Sequence, residues 1–448
     1  MRPRRLGFIG GILLSLIVIG CLPEGVRVPQ SPLLRSLERK AGLITYVGVD
    51  GNIYTMDQGG GRQQAITNDA KIPDSPTGEF RLYQFPVWSP DSRRIAFIGI
   101  RGAQNTPGTA SIFTATPDGS DRQEVFTSHE WVPFYLYWSP DSKRLGFLAS
   151  VVTTGNTILQ TVPVEGGEAQ VVDAGQPYYW AWSPDSQRMI IHAGGDALAP
   201  SAERLAFLTL DGEIVEEGLS LRPARFQAPA WSPDGRRLLL AARANEGQGA
   251  LLVTDQQGTV EKELATFQGA IAFGWSPDGK KIAYIAGEGQ QPGVIGPLTV
   301  VDVEKPTAVK TAQEDKIAAF FWSPDSRKIA YFAPSVVSPT PEPDQTEKSA
   351  SSEQPQQVTV LLTLHVLDVQ RGRDRRIATF QPTSQFLGIL PYFDQYQRSA
   401  TIWSPDSRNL VLPAFASDGK PGIWVVPASG ALEMRYLADG LLAFWSWR

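Results

Sequence analysis

Apolar and polar residues alternate with a period of two in short runs along this chain, and one such run keeps returning. Its copies are WSPDSRRIAFI, WSPDSKRLGFL, WSPDSQRMIIH, WSPDGRRLLLA, WSPDGKKIAYI, WSPDSRKIAYF and WSPDSRNLVLP, which begin at Trp88, Trp138, Trp182, Trp231, Trp275, Trp322 and Trp403. Successive copies lie 50, 44, 49, 44, 47 and 81 residues apart, mostly the length of four short strands with their turns. Within a copy, the tryptophan ends one strand and Ser-Pro-Asp-Ser/Gly reverses the chain. Proline fixes φ in that turn and the aspartate can accept a backbone N–H. The basic pair stays in water, and the Ile-Ala-Phe/Tyr alternation that follows marks a half-buried strand. A third and a fourth strand come next, as in residues 111–120 (SIFTATPDGS) and 122–127 (RQEVFT). The large apolar area of each tryptophan predicts packing between adjacent sheets.

Four strands per unit, repeated radially, predict an all-β fold consisting of a single β-propeller, which leaves only short edges exposed. Seven motifs give seven blade starts, and the chain ends supply another. Residues 441–448 (LLAFWSWR) reproduce a first strand through Trp445, and residues 43–67 supply three strands with no preceding Trp-Ser. Eight blades, closed by pairing the N- and C-terminal strands, are therefore expected over residues 43–448. Seven is the alternative, because the interval from Trp322 to Trp403 is irregular. Residues 334–357 in that interval are rich in Pro, Ser, Gln and Glu. They cannot offset their ordering entropy and read as a disordered insertion within a blade.

The N-terminus adds an address. Arg2, Arg4 and Arg5 precede 15 apolar residues, 6–20. That run is shorter than the ~20 residues of a membrane span and fits a secretory signal, residues 1–20. The sequence Val18-Ile19-Gly20-Cys21 resembles the lipobox of bacterial lipoproteins. The resemblance implies cleavage before Cys21, lipidation of its thiol, and residues 21–42 as lipidated cysteine and tether. The protein would then be held to a membrane on the extracytoplasmic side, in the periplasm or at the cell surface; an uncleaved anchor is the alternative. Cys21 is the only cysteine, so no intramolecular disulfide can form. A net charge of -5 argues against a nucleic-acid partner, which needs a clustered basic face. The densest basic run, residues 371–376 (RGRDRR), contains an acid and reads as a solvated turn.

The Trp-Ser-Pro-Asp-Ser/Gly repeat with its basic pair resembles the propeller repeats of TolB and the related WD-type families, over nearly the whole body. The motif is specific for the fold and says little about function. TolB carries an extra N-terminal domain, for which no room is expected in this chain, and the hydrolase domain that follows the propeller in prolyl-oligopeptidase relatives is likewise expected to be missing. Chemistry is sparse. There is no G-x-S-x-G elbow, and the three histidines, His129, His192 and His365, fall in different blades. The once-per-blade aspartates Asp91, Asp141, Asp185, Asp234, Asp278, Asp325 and Asp406 read as turn caps spread around a ring. The expectation is therefore no enzyme, no metal and no cofactor.

Binding is the favoured reading. The connections entering the first strands are rich in aromatics that can anchor a partner. They are Tyr83 and Phe85; Trp131, Phe134 and Tyr135; Tyr178, Tyr179 and Trp180; Phe226; and Phe386, Tyr392, Phe393 and Tyr396. The function expected is that of a monomeric, lipid-anchored binding or scaffold protein for an envelope protein or glycan. The alternative is an envelope hydrolase or lyase with a site at the channel mouth.

Overall fold

The computed structural model describes residues 40–75, 78–103, 106–194, 203–224, 227–245, 247–287, 293–306, 309–312, 314–337 and 358–448. Eight antiparallel blades surround a common axis. Blade 2 shows the repeat unit, with strands Phe80–Trp88, Ile95–Ala103, Thr106–Ala115 and Gln123–Ser128 running from the axis outward. Blade 1 joins the chain ends. Its innermost strand, Leu442–Trp445, pairs with Ile44–Val47 in the register Ile44↔Trp445 to Val47↔Leu442. The entropy cost of closing so long a loop grows only logarithmically with its length, and the pairing that offsets it removes two open edges.

Blade 8 has three regular strands, Asn409–Phe415, Pro421–Pro427 and Arg435–Asp439. Its innermost position is taken by residues 401–403, where Trp403 bridges to Leu410 and Thr401 to Trp445. In blade 7, strands Lys328–Val337 and Thr359–Asp368 are longer than expected. Pro334 pairs with Leu362 and Val337 with Thr359. The insertion therefore cannot begin at residue 334, because a regular ladder holds the chain as far as 337. Residues 338–357 lie outside the described residues, as do residues 1–39, which carry the expected signal, Cys21 and most of the expected tether.

The Ser-Pro-Asp-Ser/Gly turn repeats the same bonds in seven places. The first serine Oγ donates to the aspartate Oδ1 at 2.5–2.7 Å. In blade 2, Ser89 Oγ also accepts the Arg94 N–H at 2.9 Å, and Asp91 accepts the Arg93 N–H at 3.0 Å. The residue after the aspartate is left-handed, with φ from 59° to 63° at Ser92, Ser142, Ser186, Ser326 and Ser407, and 70–71° at Gly279 and Gly235. This explains the Ser/Gly choice. A serine there costs about 1–2 kcal/mol, and a new bond of roughly 1 kcal/mol largely offsets it. Its Oγ accepts the aspartate N–H of the preceding blade, as Ser142 does from Asp91, Ser326 from Asp278 and Ser407 from Asp325. The C-terminus copies the clasp, with the Arg448 N–H on Ser92 Oγ at 3.0 Å.

The tryptophans stitch blades in the same direction. The indole N–H of Trp138 donates to Val87 O at 3.1 Å, that of Trp275 to Ala230 O at 3.3 Å, and that of Trp403 to Phe321 O at 3.0 Å. Each acceptor lies one residue before the preceding blade's tryptophan. Trp88, Trp138, Trp403 and Trp445 are fully buried, Trp182, Trp231 and Trp322 nearly so, while Trp275 is partly exposed.

Candidate binding sites at the propeller axis

Between the outer strand of blade 7 and the inner segment of blade 8, the chain leaves the sheet pattern. Thr383 caps a short helix, α1 (Ser384–Ile389), by accepting the Phe386 N–H. A 3-10 turn, Leu390–Tyr392, leads into α2 (Phe393–Ser399). The second helix packs against the inner strands Trp131–Trp138 of blade 3, Tyr178–Trp182 of blade 4, Ala270–Trp275 of blade 6 and Ala319–Trp322 of blade 7 and closes one mouth of the axis.

Buried polar groups fix it there. Gln395 Nε2 donates to Tyr135 Oη at 3.0 Å and to Trp180 O at 2.9 Å, and its Oε1 accepts the Trp180 N–H at 3.3 Å. Tyr135 Oη donates to Gln395 O at 3.0 Å. Asp394 accepts the Ala228 N–H at 3.0 Å, and the Arg398 guanidinium donates to Ala228 O at 2.6 Å and to Pro229 O. Burial pushes the Asp394 carboxyl up, against the pull of Arg398, and brings Arg398 below its ordinary value. Phe393 adds edge contacts to Phe320 at 4.9 Å. Phe85, at a left-handed φ of 51°, holds its ring 6.0 Å from that of Tyr396. Such a conformation is rare for an aromatic residue and persists where the surroundings dictate it.

Among the described residues the other mouth is open. A cavity of about 510 Å³ lies between the turns, with Trp182, Trp231, Trp275 and Trp322 in its wall and Gln397 and Arg398 on its floor. Pro184, Pro233, Pro277 and Pro324 form an exposed rim. A second concavity of about 320 Å³ lies on the plugged side, between blades 3 and 4 and the helical segment, and is lined by Phe134, Tyr135, Tyr178, Tyr179, Tyr392 and Tyr396.

The aromatics expected to form one exposed face are thus divided. Tyr83, Tyr135, Tyr178, Tyr179, Trp180, Phe386 and Phe393 are buried. They do not present an open surface: Tyr83 packs against Phe97 and Phe113 with its hydroxyl on Asp69, Tyr135 and Trp180 seat α2 through Gln395, and Phe386 and Phe393 belong to the helical segment itself. Phe85, Trp131, Tyr392 and Tyr396 are half-buried, and Phe134 is 37% exposed. Phe226 lies outside the described residues. Sequence reasoning missed Asp394, Gln395, Gln397, Arg398 and the proline rim. One signal was present: even without residues 334–357, the interval from Trp322 to Trp403 is longer than any other between copies.

The histidines stay apart, as expected from their blade positions. His129 Nδ1 meets Gly108 O, buried His192 meets Gln227 O at 3.1 Å, and His365 meets Asp374 at 3.2 Å. The motif aspartates each serve their own turn. Among the described residues no three metal-ligating side chains cluster, and no helix is long and apolar enough to cross a membrane.

The fold defines the class: an eight-bladed β-propeller. No family model and no curated protein sequence matches the chain. Among solved structures, it is similar to TolB from Acinetobacter baumannii (16% identity, 61% of this chain on 64% of that one, TM-score 0.37). It is also similar to the periplasmic gluconolactonase PpgL of Pseudomonas aeruginosa (16%, 76% on 96%, 0.40). A third match is to the structures of two prolyl endopeptidases (11%, 80% on 49%, 0.50). At these identities the likeness shows the fold alone.

One expectation is corrected. The exclusion of enzymatic activity does not hold, because the solved structures similar to this one include those of prolyl endopeptidases. The absence of a familiar motif leaves catalysis open to this architecture.

Proposed function

We propose that this protein is a lipid-anchored, extracytoplasmic propeller that receives a protein or glycan partner of the cell envelope in its axial cup. The observation that carries the reading is the asymmetry of the axis, with one mouth sealed by α2 and the other an open cavity walled by tryptophan and proline. Rigid rings offer contact area at little entropic cost, and the Arg398 guanidinium adds a polar group at the base. Anchoring rests on the basic start, the apolar run and Cys21. In this proposal the protein works as a monomer and takes no nucleic acid.

A photocrosslinking residue at position 277, on the rim, should capture a partner in living cells. The same residue at position 217, on an exposed outer strand, should capture none, and Trp275→Ala should weaken capture at 277. Capture at 217 with none at 277 would contradict the reading. Cys21→Ser should abolish lipid labelling and release the protein from membranes; a wild-type protein without lipid would remove the anchor from the proposal.

A further inference from the structure

We infer that the cleft beside the plug is a second binding site, independent of the cup, and that its ligand is a neutral sugar unit of a glycan. Blade 3 contributes Phe134 and Tyr135, blade 4 Tyr178 and Tyr179, and the helical segment Tyr392 and Tyr396. Aromatic faces from three elements thus converge on one small space, and the site exists only because α2 is docked.

The chemistry selects the ligand. Among the described residues no charged side chain lines the cleft. The Tyr178 hydroxyl is bonded to Asp173, whose carboxylate is in turn held by Arg204 at 2.7–2.8 Å. An ionic ligand would therefore lose its hydration without a counter-charge, a heavy penalty. Neutral hydrogen-bonding groups are present instead. Among the described residues, the hydroxyls of Thr157, Tyr392 and Tyr396 and the exposed Gln176 amide have no partner. A pyranose matches both features, with C–H faces for the rings and hydroxyls for the free donors and acceptors.

The volume of about 320 Å³ lies at the small end for ligand sites. A proline-rich peptide suits it less well, since an extended helix rising 3.1 Å per residue needs a row of exposed rings. Here only Phe134 stands well out of the surface, and the other aromatics form walls.

The test uses the full chain and saturation-transfer NMR. The probes are neutral disaccharides of the glucose, galactose, mannose and N-acetylglucosamine series, with digalacturonate and a short proline-rich peptide beside them. A neutral sugar should bind. Phe134→Ser and Tyr392→Ala should each weaken it about tenfold, as loss of an aromatic anchor does. Tyr392→Phe, which keeps the ring, should lose less, and all three variants should melt like wild type. Pro277→Glu in the cup should leave sugar binding unchanged, which separates this site from the axial one. The inference is overturned if no neutral sugar binds, if only digalacturonate or the peptide binds, if both aromatic variants bind like wild type, or if Pro277→Glu abolishes binding.

Discussion

The two mouths of the axis are bounded by the same inner strands, yet they end in opposite ways. On one side the strand starts carry tyrosines and tryptophans, and a helix from a distant part of the chain covers them through amide, carboxylate and guanidinium bonds to backbone groups. On the other side the strand ends carry the repeated turn, and among the described residues nothing covers the prolines Pro184, Pro233, Pro277 and Pro324. Aromatic richness alone therefore does not mark an open surface. What matters is whether another segment of the chain satisfies the strand ends. The contrast divides the residues into those whose loss should cost stability and those whose loss should cost binding.

The largest effect is expected at the plug. Phe393→Ala removes a buried ring against Phe320 and should destabilise by about 3–5 kcal/mol, as core Phe truncations do; denaturant melts would read it. A change near zero would mean the helix is not docked. Gln395→Ala follows. It leaves the Trp180 peptide groups without their side-chain partners and takes one bond from the Tyr135 hydroxyl, for roughly 1–3 kcal/mol. Equal melting of this variant and wild type would show that the network contributes nothing to closure.

Acidification sharpens the comparison further. Burial lowers His192 to about 4 from an ordinary value of 6.5, and its ring bonds to Gln227, next to the Ala228 that holds α2. Between these values the unfolded chain takes up the proton and the folded one does not. Stability is therefore full above pH 6.5 and falls as the pH drops toward 4, by up to about 3 kcal/mol. His192→Gln should flatten that slope, and an unchanged slope would assign the acid sensitivity elsewhere. The smallest stability effect belongs to the cup rim. Pro277→Glu should alter stability by no more than about 0.5 kcal/mol, as exposed substitutions do, while abolishing partner capture. A large loss of stability would place the rim in the core.

The ring was legible in the sequence because each Trp-Ser-Pro-Asp copy carries its own turn chemistry. Its closure was legible because residues 43–67 and 441–448 complement each other as parts of one unit. The plug was not. Gln395 meets Trp180 and Tyr135 across 215 and 260 residues of chain, and no local pattern encodes such a pairing. Thr383 as a helix cap and the long interval before Trp403 hinted at an extra element, but not at where it would dock. The prolines misled differently. Their role in the turn accounted for them fully, and a second role emerged only when the ring set them round one axis.

Thiol labelling tests the sealed and open mouths most directly, because the chain has a single cysteine. In a Cys21→Ser background, a maleimide should modify Pro277→Cys in the native protein at the rate of an exposed thiol. Gln395→Cys should resist modification until denaturant is added. Equal labelling of both in native buffer, or protection of Pro277→Cys, would contradict an axis that is closed by α2 and open at the repeated turns.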